Sequence, residues 1–496
     1  MQIILAGYNV DSGALSDFYA GQGVGERLTP ETIAAAYARI SRDQRPVNEL
    51  RALARGEVEK ARKSNRNIVF TMGHSSIAEH AVLNIDVLGV SRLLVEELER
   101  SRLASYTEKS QRYVLLEDDF VVPQEIRAAG LEAAFLGVIG EQNRLYHKLY
   151  ASLRTYVFEK NHDLARDRSN CSLLEGWAKE DARYVIALAT ETQLGMTINT
   201  RNLEAMIRRL AASPLSEARE CSRRLYEVAV SIAPSLVRYV EPTEYDLLTG
   251  GELMEHTERL RARAKNDEEK EEIPSVRNDE EVALTYATPE ADDRVVAALL
   301  YSSAGLSGRE CRKIITKMDA RDKAEVIKTA CRHMHAYDSV RREFENVDLN
   351  FELTISASCF AQLKRHRMAT ISCQDYNPAL GVTVPEAVRV AGMERDFHEI
   401  VARTDDVYNK LKESTPAAAA YILTNAHRRR VAMKVNAREL YHISRLRGDQ
   451  HAQWDIRLVA AKMITLAREV MPLTLMLATG KDDFQSLFDS LFQPVQ

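Results

Sequence analysis

Apolar and polar residues alternate along AVLNIDVLGV (81–90) and again along DLNFELTIS (348–356). Each run passes into a stretch whose apolar residues recur every three to four positions, SRLLVEELERSR (91–102) and SCFAQLKRHR (358–367). A two-residue period turns one face of a strand toward a core, and the longer period does the same for a helix, so both places predict a strand feeding a helix. The opening MQIILAGYNV reads as a first strand rather than a signal peptide, having neither a basic leader nor a small-residue cleavage site.

The parallel returns later in each half. TQLGMTINTRNLEAMIRRLAASPLSEARE (192–220) and RRRVAMKVNARELYHISRLRGDQHAQWDIR (428–457) both put an Asn-x-Arg after an alternating strand, at the mouth of a strong helix. LEAAFLGVIGEQNRLYHKLYASL (131–153) and ERDFHEIVARTDDVYNKLKES (394–414) read as helical connectors. Repetition at this long spacing means duplicated domains, not a solenoid. Charges crowd together near 250–285 around two glycines and a proline, which marks a linker with a helical turn or more. The pattern therefore predicts an α+β chain with a first copy at 1–247, a charged linker at 248–285 and a second copy at 286–496, each a sheet flanked by long helices.

Composition changes this picture little. At 496 residues the chain exceeds one core, given roughly 100–200 residues per domain. With 45% hydrophobic residues, 28% charged and a formal charge of -5, it describes an ordinary globular protein and disfavours a basic nucleic-acid binder. No apolar run approaches the length needed to cross a bilayer. The six cysteines include no C-x-x-C pair, so a disulfide framework or zinc site is not expected, and reduced thiols in a cytoplasmic protein are.

Three passages carry candidate chemistry. Arg365-His366-Arg367 offers guanidinium forks that match phosphate oxygens, although cations at a helix end also favour the helix dipole. GHSSIAEH (73–80) lacks the H-E-x-x-H spacing of a zinc helix and the G-x-S-x-G elbow of a serine nucleophile, and capping by Ser75 or Ser76 with Glu79 is its simplest reading. SYTEKSQRY (105–113) sets Glu108, Ser110 and Arg112 at alternate positions, so an extended segment would point all three one way, toward a nucleobase edge and its phosphate or simply toward solvent.

Together these passages resemble the flavin-dependent thymidylate synthases. The family pattern G-H-x-S-x-x-E-H followed by an apolar alternation and G-x-S-R is met by Gly73, His74, Ser76, Glu79, His80, Gly89, Ser91 and Arg92. The signature R-H-R-x-x-S-x-N-E-x-S-x-R-Y is divided between the halves. The first keeps Arg100, Arg102, Ser105, Glu108, Ser110, Arg112 and Tyr113, with Ser101 for the His and Thr107 for the Asn. The second keeps Arg365, His366 and Arg367, with Cys373 for the Glu, Asp375 for the Ser, and Asn377 and Pro378 for Arg-Tyr. The second half alone resembles the late N-A-R...L-R...H-A-Q-W-E-I-R stretch, through Asn436, Arg438, Arg447, His451 and Gln453; Leu210 and Pro214 stand at the Arg447 and His451 positions of the first.

The resemblance implies FAD as cofactor, NADPH and methylenetetrahydrofolate as co-substrates, and methylation of dUMP to dTMP, with no protein nucleophile. It implies that Glu108, Ser110, Arg112, Arg183, Gln362, Arg365 and Arg447 bind the nucleotide, and that Arg447 also acts in catalysis by stabilising charge on the uracil. For the flavin it implies Ser76, Glu108, Arg365, His366, Arg367, Asn436, Arg438 and His442. No metal, nucleic acid or membrane enters. Family members build each site across subunits. Here the losses are complementary, with Glu97 opposite Gln362 and Ala420 opposite Arg183, so the expectation is one working composite site built from both halves and one dead site lined by Cys373 and Asp375. A homodimer would then supply four domains. Ser101 and Thr107 leave two other readings open: a related flavoenzyme acting on another pyrimidine nucleotide, and a non-catalytic nucleotide-binding relative.

Overall fold

The computed structural model describes residues 1–21, 25–266, 277–278 and 281–492. The chain is α+β and forms two compact units. One comprises Met1–Lys179, Ile186–Lys270 and Arg395–Leu423, and the other comprises Glu180–Val185, Glu271–Glu394 and Thr424–Gln496. Neither unit is one half of the sequence. Residues 180–185 of the first half group with the second unit, and residues 395–423 of the second half group with the first.

In the first unit, strands β1 (Gln2–Tyr8), β2 (Val82–Ser91), β3 (Ala104–Glu108) and β4 (Glu191–Asn199) form an antiparallel sheet in the order β1-β2-β4-β3. The alternation read from the sequence sets its inner face: Leu83, Ile85 and Val87 are buried opposite Ile198, Met196 and Leu194. Such cross-strand apolar pairs stabilise a sheet and fix its register, since a slip of one residue would turn the whole set outward. Gly89 interrupts this register with φ +68, and a Cβ there would lie 3.1 Å from the Met1 nitrogen, so the family's glycine is a backbone requirement.

The second unit repeats the plan. Strands β5 (Arg277–Asn278), β6 (Val282–Ala287), β7 (Asp348–Ser356), β8 (Thr370–Cys373) and β9 (Arg428–Asn436) are ordered β5-β6-β7-β9-β8. Phe351 faces Met433 and Leu349 faces Val435 across β7 and β9, inside the core. Because β6 begins at Val282, this sheet starts before the expected boundary at 286. Of the expected linker, Thr249–Asn266 is one helix, while 267–276 and 279–280 lie outside the described residues.

The strand-to-helix turns are duplicated almost atom for atom. Ser91 (φ -71, ψ 154) and Ser356 (φ -67, ψ 159) each cap the helix that follows, accepting from Leu94 N at 3.0 Å and Cys359 N at 2.9 Å. Asn199 and Asn436 do the same one strand later, accepting from Asn202 N at 3.0 Å and Glu439 N at 2.8 Å. A short side-chain acceptor satisfies amide groups that the helix itself leaves unpaired.

Each unit also buries a carboxylate at the second position of a helix, and each carboxylate takes a tyrosine hydroxyl. In the first unit, Glu217 accepts from Ser91 N at 2.8 Å, Ser91 Oγ at 2.7 Å and Tyr421 Oη at 2.6 Å. In the second, Asp455 accepts from Ser356 Oγ at 2.6 Å and Tyr184 Oη at 2.9 Å. The two tyrosines belong to the segments that fold away from their own half, which is what those segments contribute. In the first unit, Gln142 of the helix Glu132–Lys160 adds a second tie by donating to Thr404 Oγ1 at 2.8 Å and to the Ile422 carbonyl at 3.0 Å.

Candidate functional site

The site is clearest in the second unit, where the short helix Ala357–Leu363 ends in Arg365-His366-Arg367 and lies near the helix Ala437–Arg447. His366 is 2% exposed, so it is a core residue, whereas Arg365 and Arg367 on either side are exposed. The solvated-helix-end reading thus holds for the arginines and fails for the histidine. Arg447, half-buried, donates from Nε to His366 Nε2 at 3.0 Å and from Nη2 to the Gln362 carbonyl at 3.1 Å. The structure brings together three residues picked from the sequence, Gln362, His366 and Arg447, at separations the sequence could not supply.

On the other side of His366, Nδ1 faces Glu439 Oε1 at 3.4 Å, and the ring of His442 lies edge-on 5.7 Å away. Since Arg447 occupies Nε2 as a donor, a neutral His366 carries its proton on Nδ1, toward the buried Glu439 carboxylate. Burial holds the His366 pKa below its ordinary value, with Glu439 opposing that shift and Arg447 and His442 adding to it. His366, Glu439 and His442 offer ligand atoms within 4.8 Å of one another, a spacing open to a metal ion that the sequence reading did not foresee. A cation there would have to displace the Nδ1 proton beside a guanidinium, so the donor set favours holding a proton over holding a metal.

Gln362 continues the network. Its Nε2 donates to Gln453 Oε1 at 3.3 Å, and Gln453 Nε2 donates to Tyr184 Oη at 2.7 Å. The Tyr184 ring stacks on Trp454 at 5.6 Å, Trp454 Nε1 donates to Asp181 Oδ1 at 2.7 Å, and Asn425 Nδ2 donates to the Arg183 carbonyl at 3.0 Å. Arg183, expected at the nucleotide, is thereby fixed in this unit and buried. Burial pushes the Asp455 carboxyl above its ordinary range against the donors Ser356 and Tyr184, and it pushes the Tyr184 hydroxyl well up as well.

Other expected residues are committed elsewhere. Asn436 spends its Oδ1 on capping, and Arg438 donates to the Val340 carbonyl at 2.9 Å and the Glu345 carboxylate at 2.8 Å. In the first unit the expected extended row breaks. The strand ends at Glu108, residues 111–113 turn, and Ser110 Oγ accepts the Arg112 amide at 3.2 Å. Glu108 is not a freely offered side chain: it is buried in an ion pair with Arg92 and accepts from Thr192 Oγ1 at 3.2 Å. Ser76 is exposed on a 3-10 helix, Ser75–His80, whose cap position is His74, and Glu79 pairs with Arg201. The capping reading of GHSSIAEH is therefore not realised. Cys373 and Asp375 are exposed.

Glu439, Tyr184 and Asp455 were missed. Glu439 and His442 share a helical face three residues apart, a signal the sequence did carry. Nothing in the sequence pairs Tyr184 with Asp455.

A histidine held neutral by burial contributes stability above its unfolded pKa that is lost as pH falls through its folded one. For His366 the fall therefore begins near 6.5, the ordinary value. Glu217 and Asp455, raised by burial, run the other way and lose their contribution as pH rises through their folded values. We expect denaturation midpoints to drop as pH falls below about 6.5, and to drop less steeply in His366→Gln. Identical slopes in the two proteins would show that another group sets the acid limb.

Fold and site together define a doubled α+β protein whose second unit gathers arginine, histidine and amide groups. The family model of the thymidylate synthase complementing protein matches residues 25–235 and again 283–473, and the chain belongs to that family. A UPF0159 protein of Thermoplasma acidophilum is 24% identical over 488 residues, covering 88% of this chain and 93% of that protein. A UPF0159 protein of Chlamydia pneumoniae is 24% identical over 431 residues, covering 84% and 79%. The flavin-dependent thymidylate synthase of Clostridium tetani is 30% identical over 218 residues, 43% of this chain and 83% of its own. The solved UMP/dUMP methylase PolB of Streptomyces cacaoi is 20% identical, covers 42% of this chain and 96% of its own, and superposes with a TM-score of 0.33. Among the described residues no helix is long and apolar enough to cross a membrane.

Proposed function

We propose that the protein is a flavin-dependent methyltransferase of thymidylate synthase type, converting dUMP to dTMP with FAD, NADPH and methylenetetrahydrofolate. The observation that carries this reading is the fixing of Arg447 by His366 Nε2 and the Gln362 carbonyl, in the unit that also holds Arg183 from the first half of the sequence. The residues present suit a flavin. His366 is a buried planar ring braced by Arg447 and Glu439, and the exposed guanidiniums on either side of it suit a pyrophosphate. FAD, when bound, would supply the redox chemistry that turns a one-carbon bridge into a methyl group.

The chain's own residues would bind, orient and stabilise. Arg447 faces the uracil and stabilises negative charge developing on the ring, and its bonds to His366 and to the Gln362 backbone help keep the guanidinium from reorienting. Arg365 and Arg367, with His366 and His442, hold the cofactor. For Ser76, Glu108, Ser110, Arg112, Asn436 and Arg438 the proposed binding roles rest on the motifs alone.

The test is the FAD content per chain after purification with FAD, followed by dTMP formation from dUMP beside other pyrimidine nucleotides. About one FAD and dUMP-dependent turnover support the reading, and no FAD even with dUMP present sinks it. Arg367→Ala should weaken FAD binding about ten- to a hundredfold, the scale of a lost charged hydrogen bond. Arg102→Ala, at the matching place in the first half, should change it less than about twofold. Equal losses in a fluorescence titration would refute the division of labour.

A further inference from the structure

We propose that Tyr184, carried by the first half of the sequence, positions Gln362 and Arg447 in the second half through Gln453; the catalytic consequence rests on the function proposed above, but the positioning does not. Tyr184 and Gln453 are both 0% exposed, so no water competes for their bonds. Asp455 Oδ2 accepts the Tyr184 hydroxyl proton, which leaves the Tyr184 oxygen to accept from Gln453 Nε2. That fixes the flip of the Gln453 amide, whose Oε1 then accepts from Gln362 Nε2. The backbone carbonyl of the same Gln362 accepts from Arg447 Nη2. Two sets of bonds thus meet at one residue: Arg447 rests on the Gln362 backbone, and the Gln362 side chain is held through Gln453 and Tyr184 on the buried Asp455 carboxylate.

The first unit provides the internal comparison. It has the same core, Ser91, Glu217 and Tyr421, and among the described residues it shows no such extension. The cap of its helix Ser216–Ile232 is Leu215, which cannot bond, where Gln453 caps Trp454–Val470 in the second unit. Ser216 donates to Glu125 instead, and Leu210 stands at the Arg447 position. The serine–carboxylate–tyrosine core is thus common architecture, while the amide link occurs in the unit that carries Arg447.

The experiment compares Tyr184→Phe with Tyr421→Phe in the full chain. Both remove one hydroxyl from a buried carboxylate, so both should lower the melting temperature by a similar amount. They should differ at His366, whose titration can be followed by NMR of histidine-labelled protein without any cofactor and assigned with His366→Gln. Arg447, Glu439 and His442 are the charged or titratable groups that face this ring. Tyr184→Phe should move the His366 midpoint upward as Arg447 leaves Nε2, and Tyr421→Phe should leave it in place.

Turnover with dUMP should fall at least about tenfold in Tyr184→Phe, chiefly in kcat, and stay within about twofold in Tyr421→Phe. Should Tyr184→Phe fail to fold, Gln453→Leu keeps the Tyr184–Asp455 bond, removes only the link, and should move His366 in the same direction. An unmoved His366 in a folded Tyr184→Phe or Gln453→Leu variant overturns the proposal. A moved His366 in a protein whose parent shows no flavin chemistry would uphold the positioning and sink the proposed function instead.

Discussion

Replacing Arg447 with alanine is expected to lower turnover by about two to three orders of magnitude, the scale seen when a preorganised donor to a developing negative charge is lost. The guanidinium is already held by His366 Nε2 at 3.0 Å and the Gln362 carbonyl at 3.1 Å, so little reorganisation remains to be made when charge appears. Lysine should not rescue it, because one ammonium cannot satisfy both acceptors and still face a ligand. FAD binding should change much less than turnover, since the cofactor contacts are proposed for other residues. Alanine also leaves His366 Nε2 and a buried carbonyl without this donor, a cost of about 1–3 kcal/mol to folding. Single-turnover flavin oxidation with dUMP separates the two effects. A rate within threefold of the parent would pass the electrostatic role to another arginine.

Gly480→Ala is expected to be among the most damaging small substitutions in the chain. A Cβ at Gly480 would lie 2.4 Å from the Gly448 oxygen and 2.7 Å from its carbonyl carbon. One at Gly448 would lie 2.6 Å from the Ser444 oxygen and 3.1 Å from Gly480 Cα. These neighbours are backbone, so no side chain can swing aside, and overpacking of this kind costs about 1–3 kcal/mol or more. Gly448 directly follows Arg447, so whatever yields at 448 also moves the guanidinium. Both stability and turnover should fall together. Gly137→Ala is the control: it sits in the helix Glu132–Lys160 with nothing within 4 Å of its Cβ, and it should stabilise by about 0.5–1 kcal/mol. Thermal unfolding of the two variants reads the contrast, and equal midpoints would mean that the Gly448–Gly480 crossing is soft.

The motifs that carried the family resemblance turned out to do two kinds of work. Gly89 and Ser91 are requirements of the backbone, one for a left-handed residue in a bulged strand and one for a helix cap. Asn436 is also a cap, and its expected contact with a cofactor competes with that role for Oδ1. His366, Gln362 and Arg447 are joined in one hydrogen-bonded group. Glu108 and Arg438 are paired with Arg92 and Glu345.

The sequence by itself determined the local structure. Strands β2, β4, β7 and β9 lie where the two-residue alternation placed them, because a half-buried sheet allows only one face to be apolar. The helices after them begin at a serine or an asparagine, because those side chains can replace the missing intrahelical bond. The duplication was legible too, since two copies of one fold must repeat both patterns. What only the tertiary structure decided was which parts of the chain fold together. Residues 180–185 and 395–423 leave their own halves for reasons no local period encodes: each carries a tyrosine whose hydroxyl satisfies a carboxylate buried far along the chain. An unsatisfied buried carboxylate is costly wherever it lies in sequence, and its partner is chosen by position in space alone. The same reason hid the link from Tyr184 to Arg447, which runs by hydrogen bonds to the Gln362 side chain and then from the Gln362 backbone, among residues that the sequence holds apart.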